Sequence, residues 1–179
     1  TIGYFMGCDT TGCEPVFALK SYKELSGGGS MMMGNQTVPL ALEKLNYNKK
    51  TIDEITEYID KHETIEGSDS LKKEHIPIFD CAVNSGEGER AISPTGHLKM
   101  LSAIQPHLSG GISKTINGPP NLSVDKIRDI MYQGWKLGIK SYTIYRDESR
   151  VSQPLRSKKI NIVKKQLKRF GEHSGYYQE

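Results

Sequence analysis

Leu108-Ser109-Gly110-Gly111-Ile112-Ser113-Lys114-Thr115-Ile116-Asn117-Gly118-Pro119-Pro120 is the stretch from which the fold is read. A paired glycine opens it, and the β-branched residues Ile112, Thr115 and Ile116 favour an extended backbone. Asn117-Gly118-Pro119-Pro120 then stops the run, because glycine permits positive φ while proline fixes φ and removes a donor. Ser123 is placed to cap a helix running to Gly138, with Val124, Ile127, Ile130, Met131 and Trp135 as its expected buried stripe. A second β-rich run, Ile139 to Tyr145, follows. Strand, crossover helix and strand form a βαβ unit, so the two strands are expected to be parallel. Alternation along the first strand sets Lys114 on the face opposite Ser113 and Thr115. The three cannot all point toward one site, and Ser113 and Thr115 are taken as the candidate site-lining residues.

Working outward, 179 residues suffice for one domain with a real core and are too few for two comfortable ones. The mean hydropathy is −0.53. No run approaches the roughly 20 apolar residues needed to span a bilayer, and no basic-then-apolar leader opens the sequence. The expectation is a cytoplasmic chain with no membrane partner. Cys8, Cys13 and Cys81 form no disulfide framework, since an odd count cannot fully pair. No second cysteine pair or spaced histidine pair completes a zinc set, so no metal ligands are assigned.

Upstream, Thr1-Ile2-Gly3-Tyr4-Phe5-Met6 reads as a strand already in mid-course, which suggests a piece of something longer. Gly7 to Pro15 is a loop of turn formers, read either as a plain surface connection or as the mouth of a site. Phe17–Leu25 and Met31–Met33, joined through Gly27-Gly28-Gly29, give a hairpin signal. Thr37 is placed to cap one helix, and a Thr51/Glu54 capping box to open a second, with Ile52, Ile55 and Ile59 on one stripe. The polar span from Glu63 to Glu74 reads as a solvated loop with a short helix. Ile76–Val83 reads as a short strand that Pro77 begins. A helix from Pro94 to Leu108 has Ser93 as its cap. His97 and His107 have no spaced partner and read as ordinary packing or solvent-facing histidines.

Beyond Leu155 the character changes. Seven basic residues lie between Arg156 and Arg169, interleaved with Ile160, Ile162, Val163 and Leu167. Residues 156–179 are thus assigned as a basic tail, helical or disordered, with nucleic-acid contact as the competing reading.

Six motifs then occur in one order: Gly7-Cys8-Asp9-Thr10-Thr11-Gly12-Cys13-Glu14-Pro15, Asn35-Gln36-Thr37-Val38-Pro39, Thr64-Ile65-Glu66-Gly67, Phe79-Asp80-Cys81-Ala82, Ser113-Lys114-Thr115-Ile116-Asn117 and Tyr145-Arg146-Asp147. The series resembles the C-terminal part of the catalytic barrel of class II, adenosylcobalamin-dependent ribonucleotide reductases, over residues 1–155. The resemblance implies an α/β fold, the C-terminal portion of a ten-stranded α/β barrel, and replacement of the ribose 2′-hydroxyl by hydrogen through thiyl-radical chemistry. It implies adenosylcobalamin as cofactor, a ribonucleotide substrate and a thioredoxin-type reductant. Thr1, Ile2 and Gly3 match the end of the family's substrate-phosphate loop, where aligned N–H groups meet an anion.

The family's radical cysteine and general-base glutamate belong upstream of this chain, so no catalytic residue is assigned here. Cys13 stands where an aliphatic residue is usual, and Gly118 where a larger apolar one is expected. The chain alone is expected to be inactive and to need the N-terminal half of the reductase. A split gene and an intein junction at Thr1 both fit that start. An iron-dependent class I enzyme would carry adjacent tyrosines on the last strand, whereas Tyr142 and Tyr145 are three apart. A non-catalytic nucleotide- or nucleic-acid-binding module on the same scaffold is the competing function.

Overall fold

The computed structural model describes residues 2–6, 8–24, 30–149 and 155–156. Its elements fall into two packed regions. The first holds a hairpin, β1 (Lys20–Glu24) and β2 (Ser30–Gly34), with helices α2 (Thr37–Lys44) and α3 (Lys49–His62). The hairpin is antiparallel, with Tyr22 opposite Met32, and β5 (Leu155–Arg156) adds to the other edge of β1. Leu42 and Ile55 are fully enclosed, with Ile52, Ile59, Leu19 and Phe79 packed around them. Burying side chains of this size stabilises by about 1.5–3 kcal/mol each, which makes this cluster the principal core.

The second region is the βαβ unit. β3 (Thr115–Gly118) and β4 (Thr143–Arg146) are parallel, with Ile116 opposite Ile144 and Asn117 opposite Tyr145. Helix α5 (Val124–Lys136) makes the crossover, and α4 (Pro94–Ile104) packs beside β3 through Leu98. The parallel pairing is as the sequence pattern predicts. Both strands begin later than the β-branched runs suggest, because the ladder forms only where each chain has a partner.

The caps sort by hydrogen bonding. Ser93 and Ser123 accept from the N–H groups of Gly96 and Lys126, as expected. Thr51 does not open α3: Asn48 accepts from the Thr51 N–H and starts the helix two residues earlier than the threonine. Thr37 is likewise the first helical residue rather than the cap, and Asn35 accepts from both its N–H and its hydroxyl. An upstream asparagine outcompetes each threonine for the orphan donors.

Four expectations are corrected. Ile2–Phe5 is a short helix (α1), not a strand: no strand partner for it exists among the described residues, and its backbone bonds locally, the Met6 N–H to the Ile2 carbonyl at 2.9 Å. Lys73–Phe79 is a 3₁₀ helix, not a strand. Pro77 lacks the donor a ladder needs, and residues 81–83 make the extended contacts instead, Ala82 and Val83 donating to the carbonyls of Val16 and Phe17. The span 63–74 is not simply solvated either, for Thr64, Ile65 and Leu71 are buried. The buried stripe assigned to α5 is the largest departure: Ile130 is buried, but Val124, Met131 and Trp135 are exposed. Residues 157–179 of the basic tail, and Thr1, lie outside the described residues.

Candidate functional site

Two polar constellations bracket β3. At its amino end, Glu14 reaches across a hundred residues of sequence. One carboxylate oxygen accepts from Lys114 Nζ at 2.8 Å and the other from the Thr115 N–H at 2.7 Å. Lys114 is almost wholly buried, and its carbonyl accepts from the Thr143 N–H, the bond that starts the β3–β4 ladder. A buried ammonium without this partner would be strongly destabilising. His97 is buried nearby with its Nε2 unpaired, and burial together with the Lys114 charge pushes its pKa down to about 4. It is therefore neutral at pH 7. The signs of this cluster are those of a fixed structural pair rather than an exchanging acid–base group.

At the carboxyl ends of β3 and β4 lies a cavity of about 250 Å³, lined among others by Asn84, Glu89, Ser93, Asn117, Gly118 and Asp147. Parallel strands put their ligand sites at this end, where the chain leaves each strand and loops diverge. The topology supplies each wall. Asn117 and Gly118 end β3, Asp147 follows β4, and Ser93 caps α4. Gly118 holds the strand close to the following turn, since a Cβ there would stand 2.7 Å from a Leu122 methyl. The Asp147 N–H donates to the Gly118 carbonyl and closes the floor.

The loop between residues 84 and 92 forms the remaining wall, and it is firmly tied. Arg90 makes a two-pronged contact with Asp80 at 2.8 and 2.7 Å, and its own N–H donates to Glu66. Ser85 accepts from the Leu19 N–H, and the Asn84 amide donates to the Glu89 carbonyl. Gly88 sits so close to Thr64 and Glu66 that a side chain would collide with both. Cys81, just before the loop, is a buried thiol whose pKa burial pushes up to about 11, an inert environment for a nucleophile.

The residues singled out from the sequence do not gather at this cavity. Ile2 is exposed in α1, Gly3 lies in the same helix, and Thr1 is outside the described residues. Ser113 is exposed ahead of β3, while half-buried Thr115 gives its N–H to Glu14. Asn117 and Asp147 were visible in the motifs without being assigned a role. The available signal was their position, one at the end of each parallel strand. Among the described residues no group of three or more His, Cys, Asp or Glu is arranged to hold a metal ion. Nor is any helix among them long and apolar enough to cross a membrane.

Comparison with known proteins agrees with this topology. Residues 1–145 match the family described as ribonucleotide reductase, barrel domain. The chain is 50% identical over 164 residues to a vitamin B12-dependent ribonucleotide reductase of Streptantibioticus cattleyicolor, covering 92% of this chain and 27% of that protein. It is 49% identical to one of Rhodopirellula baltica, covering 88% of this chain and 15% of the relative. A vitamin B12-dependent ribonucleoside-diphosphate reductase of Mycobacterium tuberculosis is 31% identical over 83% of this chain and 20% of its own length. The chain thus spans about a quarter or less of the curated relatives it matches. With residues 1–145 covered, the chain belongs to the ribonucleotide reductase barrel-domain family.

Proposed function

We propose that this chain is part of a B12-dependent ribonucleotide reductase, which converts ribonucleotides to 2′-deoxyribonucleotides for DNA synthesis in the cytoplasm. The observation that carries the reading is 50% identity over 92% of the chain to a relative of that name. Residues 1–155 form the C-terminal portion of the ten-stranded catalytic barrel, with 156–179 as an appended basic tail. The parallel β3–β4 pair supports this as a fragment of barrel wall. Thr1, Ile2 and Gly3 complete a loop for the substrate phosphates, and Ser113 and Thr115 lie toward the substrate. The radical cysteine and general base come from the N-terminal half of the reductase, and a thioredoxin-type protein supplies reducing equivalents.

Adenosylcobalamin is the implied cofactor, and the cavity tests its fit. At about 250 Å³ it is below the ~300–1,000 Å³ of ordinary ligand pockets and far too small for a corrin ring. No residue of this chain is therefore assigned to the corrin. The decisive experiment combines this chain with its upstream half, adenosylcobalamin and a dithiol reductant, and measures deoxyribonucleotide by chromatography. Product from the pair and none from this chain alone is the expected result. No product from a soluble, assembled pair overturns the reading.

A further inference from the structure

Helix α5 is covered on two sides and bare on a third, and the bare side is apolar. We propose that this uncovered arc seats a helix supplied by the upstream half of the reductase. The inference rests on the reductase reading for the existence of that partner, and on α5 for its place and chemistry.

The arrangement follows from the helical period. Ile127, Ile130 and Gly134 share one side of α5, which the β3–β4 sheet and the Tyr142 ring cover. Gln133 stands about a quarter turn from them, and its amide oxygen accepts from the Thr95 hydroxyl of α4. That contact closes one flank. Val124, Met131 and Trp135 lie about a quarter turn to the other side, diametrically opposite Gln133, and are 75%, 59% and 72% exposed. An arc so placed faces sideways, toward the position of a neighbouring helix in the same layer.

The strand beneath gives a second, independent sign. β3 is buried along most of its length, whereas Thr143 and Arg146 of β4 are exposed, and among the described residues β4 pairs with β3 alone. Parallel strands are normally covered by helices on both faces, so the missing cover lies beyond β4, on the flank of α5 away from α4. There is chain to fill it, since this one spans only 27% and 15% of two relatives. The chemistry of the arc selects the occupant. Arg128 falls within it and is paired with Asp125 at 3.0 Å, while Lys136 lies over the Tyr132 ring, which stacks on Trp135. The face is thus apolar with its charges paired, which suits an aliphatic helix stripe. It disfavours nucleic acid or an anionic membrane, whose binding draws on free cations.

The chain holds a single tryptophan, so Trp135 reports the arc directly. The test labels it as 5-fluorotryptophan and follows the fluorine resonance in the chain alone and after mixing with the unlabelled upstream half. In the chain alone the resonance should move between H2O and D2O as an exposed indole does, and assembly should remove most of that movement. Trp135→Ser and Met131→Lys should each weaken assembly by about thirtyfold, the effect of losing a central anchor, and leave the urea midpoint of the isolated chain nearly unchanged. A resonance that stays solvent-sensitive in a pair shown by sedimentation to be assembled overturns the proposal. So do variants that assemble as wild type does. Protection that grows with concentration in the chain alone also overturns it, and identifies a second copy as the occupant. Halves that never associate defeat both the seam and the reductase reading. An assembled pair that covers Trp135 yet makes no deoxyribonucleotide defeats the reading and leaves the seam standing. Turnover with Trp135 still exposed does the reverse.

Discussion

Helices α3 and α5 are close in length, 14 and 13 residues, and each carries its apolar residues at helical spacing. Their surroundings are opposite. In α3 the stripe of Ile52, Ile55 and Ile59 is enclosed by α2, by Leu19 just ahead of β1 and by the 63–79 segment. In α5 the covered arc is Ile127, Ile130 and Gly134, over which the Tyr142 ring lies and donates its hydroxyl to the Met131 carbonyl at 3.2 Å. The neighbouring arc of Val124, Met131 and Trp135 is equally apolar and faces outward, with Trp135 72% exposed and stacked on Tyr132. A period of 3.6 residues states which side chains share a face. It does not state how wide an arc the neighbours will cover. In α5 the apolar arc is wider than the sheet beneath it.

That contrast can be broken most sharply by truncation. Ile55→Ala should cost about 3 kcal/mol in urea unfolding, the usual range for emptying a closed site, whereas Met131→Ala should change stability by less than about 0.5 kcal/mol. Equal losses at the two positions would show that α5 is covered after all.

The second expectation concerns acid. Among the described residues, the buried histidine nitrogen without a partner is His97 Nε2, beside β3. The pKa of His97 is about 4 in the folded chain against 6.5 ordinarily, so between those values the unfolded chain takes up a proton that the native one refuses. Stability should therefore be full above pH 6.5 and fall as the pH drops toward 4, by up to about 3 kcal/mol for this group alone. Urea midpoints for wild type and His97→Gln between pH 4 and 7.5 check this: the substitution should flatten the slope. A parallel pair of curves would remove His97 as the cause.

Smaller effects test whether the helices differ at their ends as well as on their faces. Asn48→Ala and Ser123→Ala should each cost about 1 kcal/mol, because a cap depends on one local bond and not on what covers the helix. Trp135→Ser should be the mildest of all, within about 0.5 kcal/mol in this chain, with loss of its fluorescence as confirmation that the residue was changed.

Much of the fold was legible because it rests on local chemistry. Ser93 and Ser123 announce their helices, Gly138 at φ +65° ends α5, and strand–helix–strand order forces the parallel pair. Misreadings arose where two local signals competed. Asn35 and Asn48 took the donors that Thr37 and Thr51 were expected to satisfy, and Pro77 closed a 3₁₀ turn inside a run that looked extended. The candidate site was less legible. Asn84, Glu89, Ser93, Asn117 and Asp147 share no spacing, and only the sheet's direction makes the ends of β3 and β4 adjacent.

The sequence by itself determined the helix boundaries set by serine caps, the βαβ order, and the series of motifs that marks the family. Those are properties of neighbours in the chain, within reach of one turn or one strand. Tertiary structure alone decided that Glu14 would pair with Lys114, that α5 would leave an apolar arc uncovered, and that Asn117 and Asp147 would line one cavity. Each of these depends on which surfaces meet across distances of tens of residues, and packing rather than periodicity settles that.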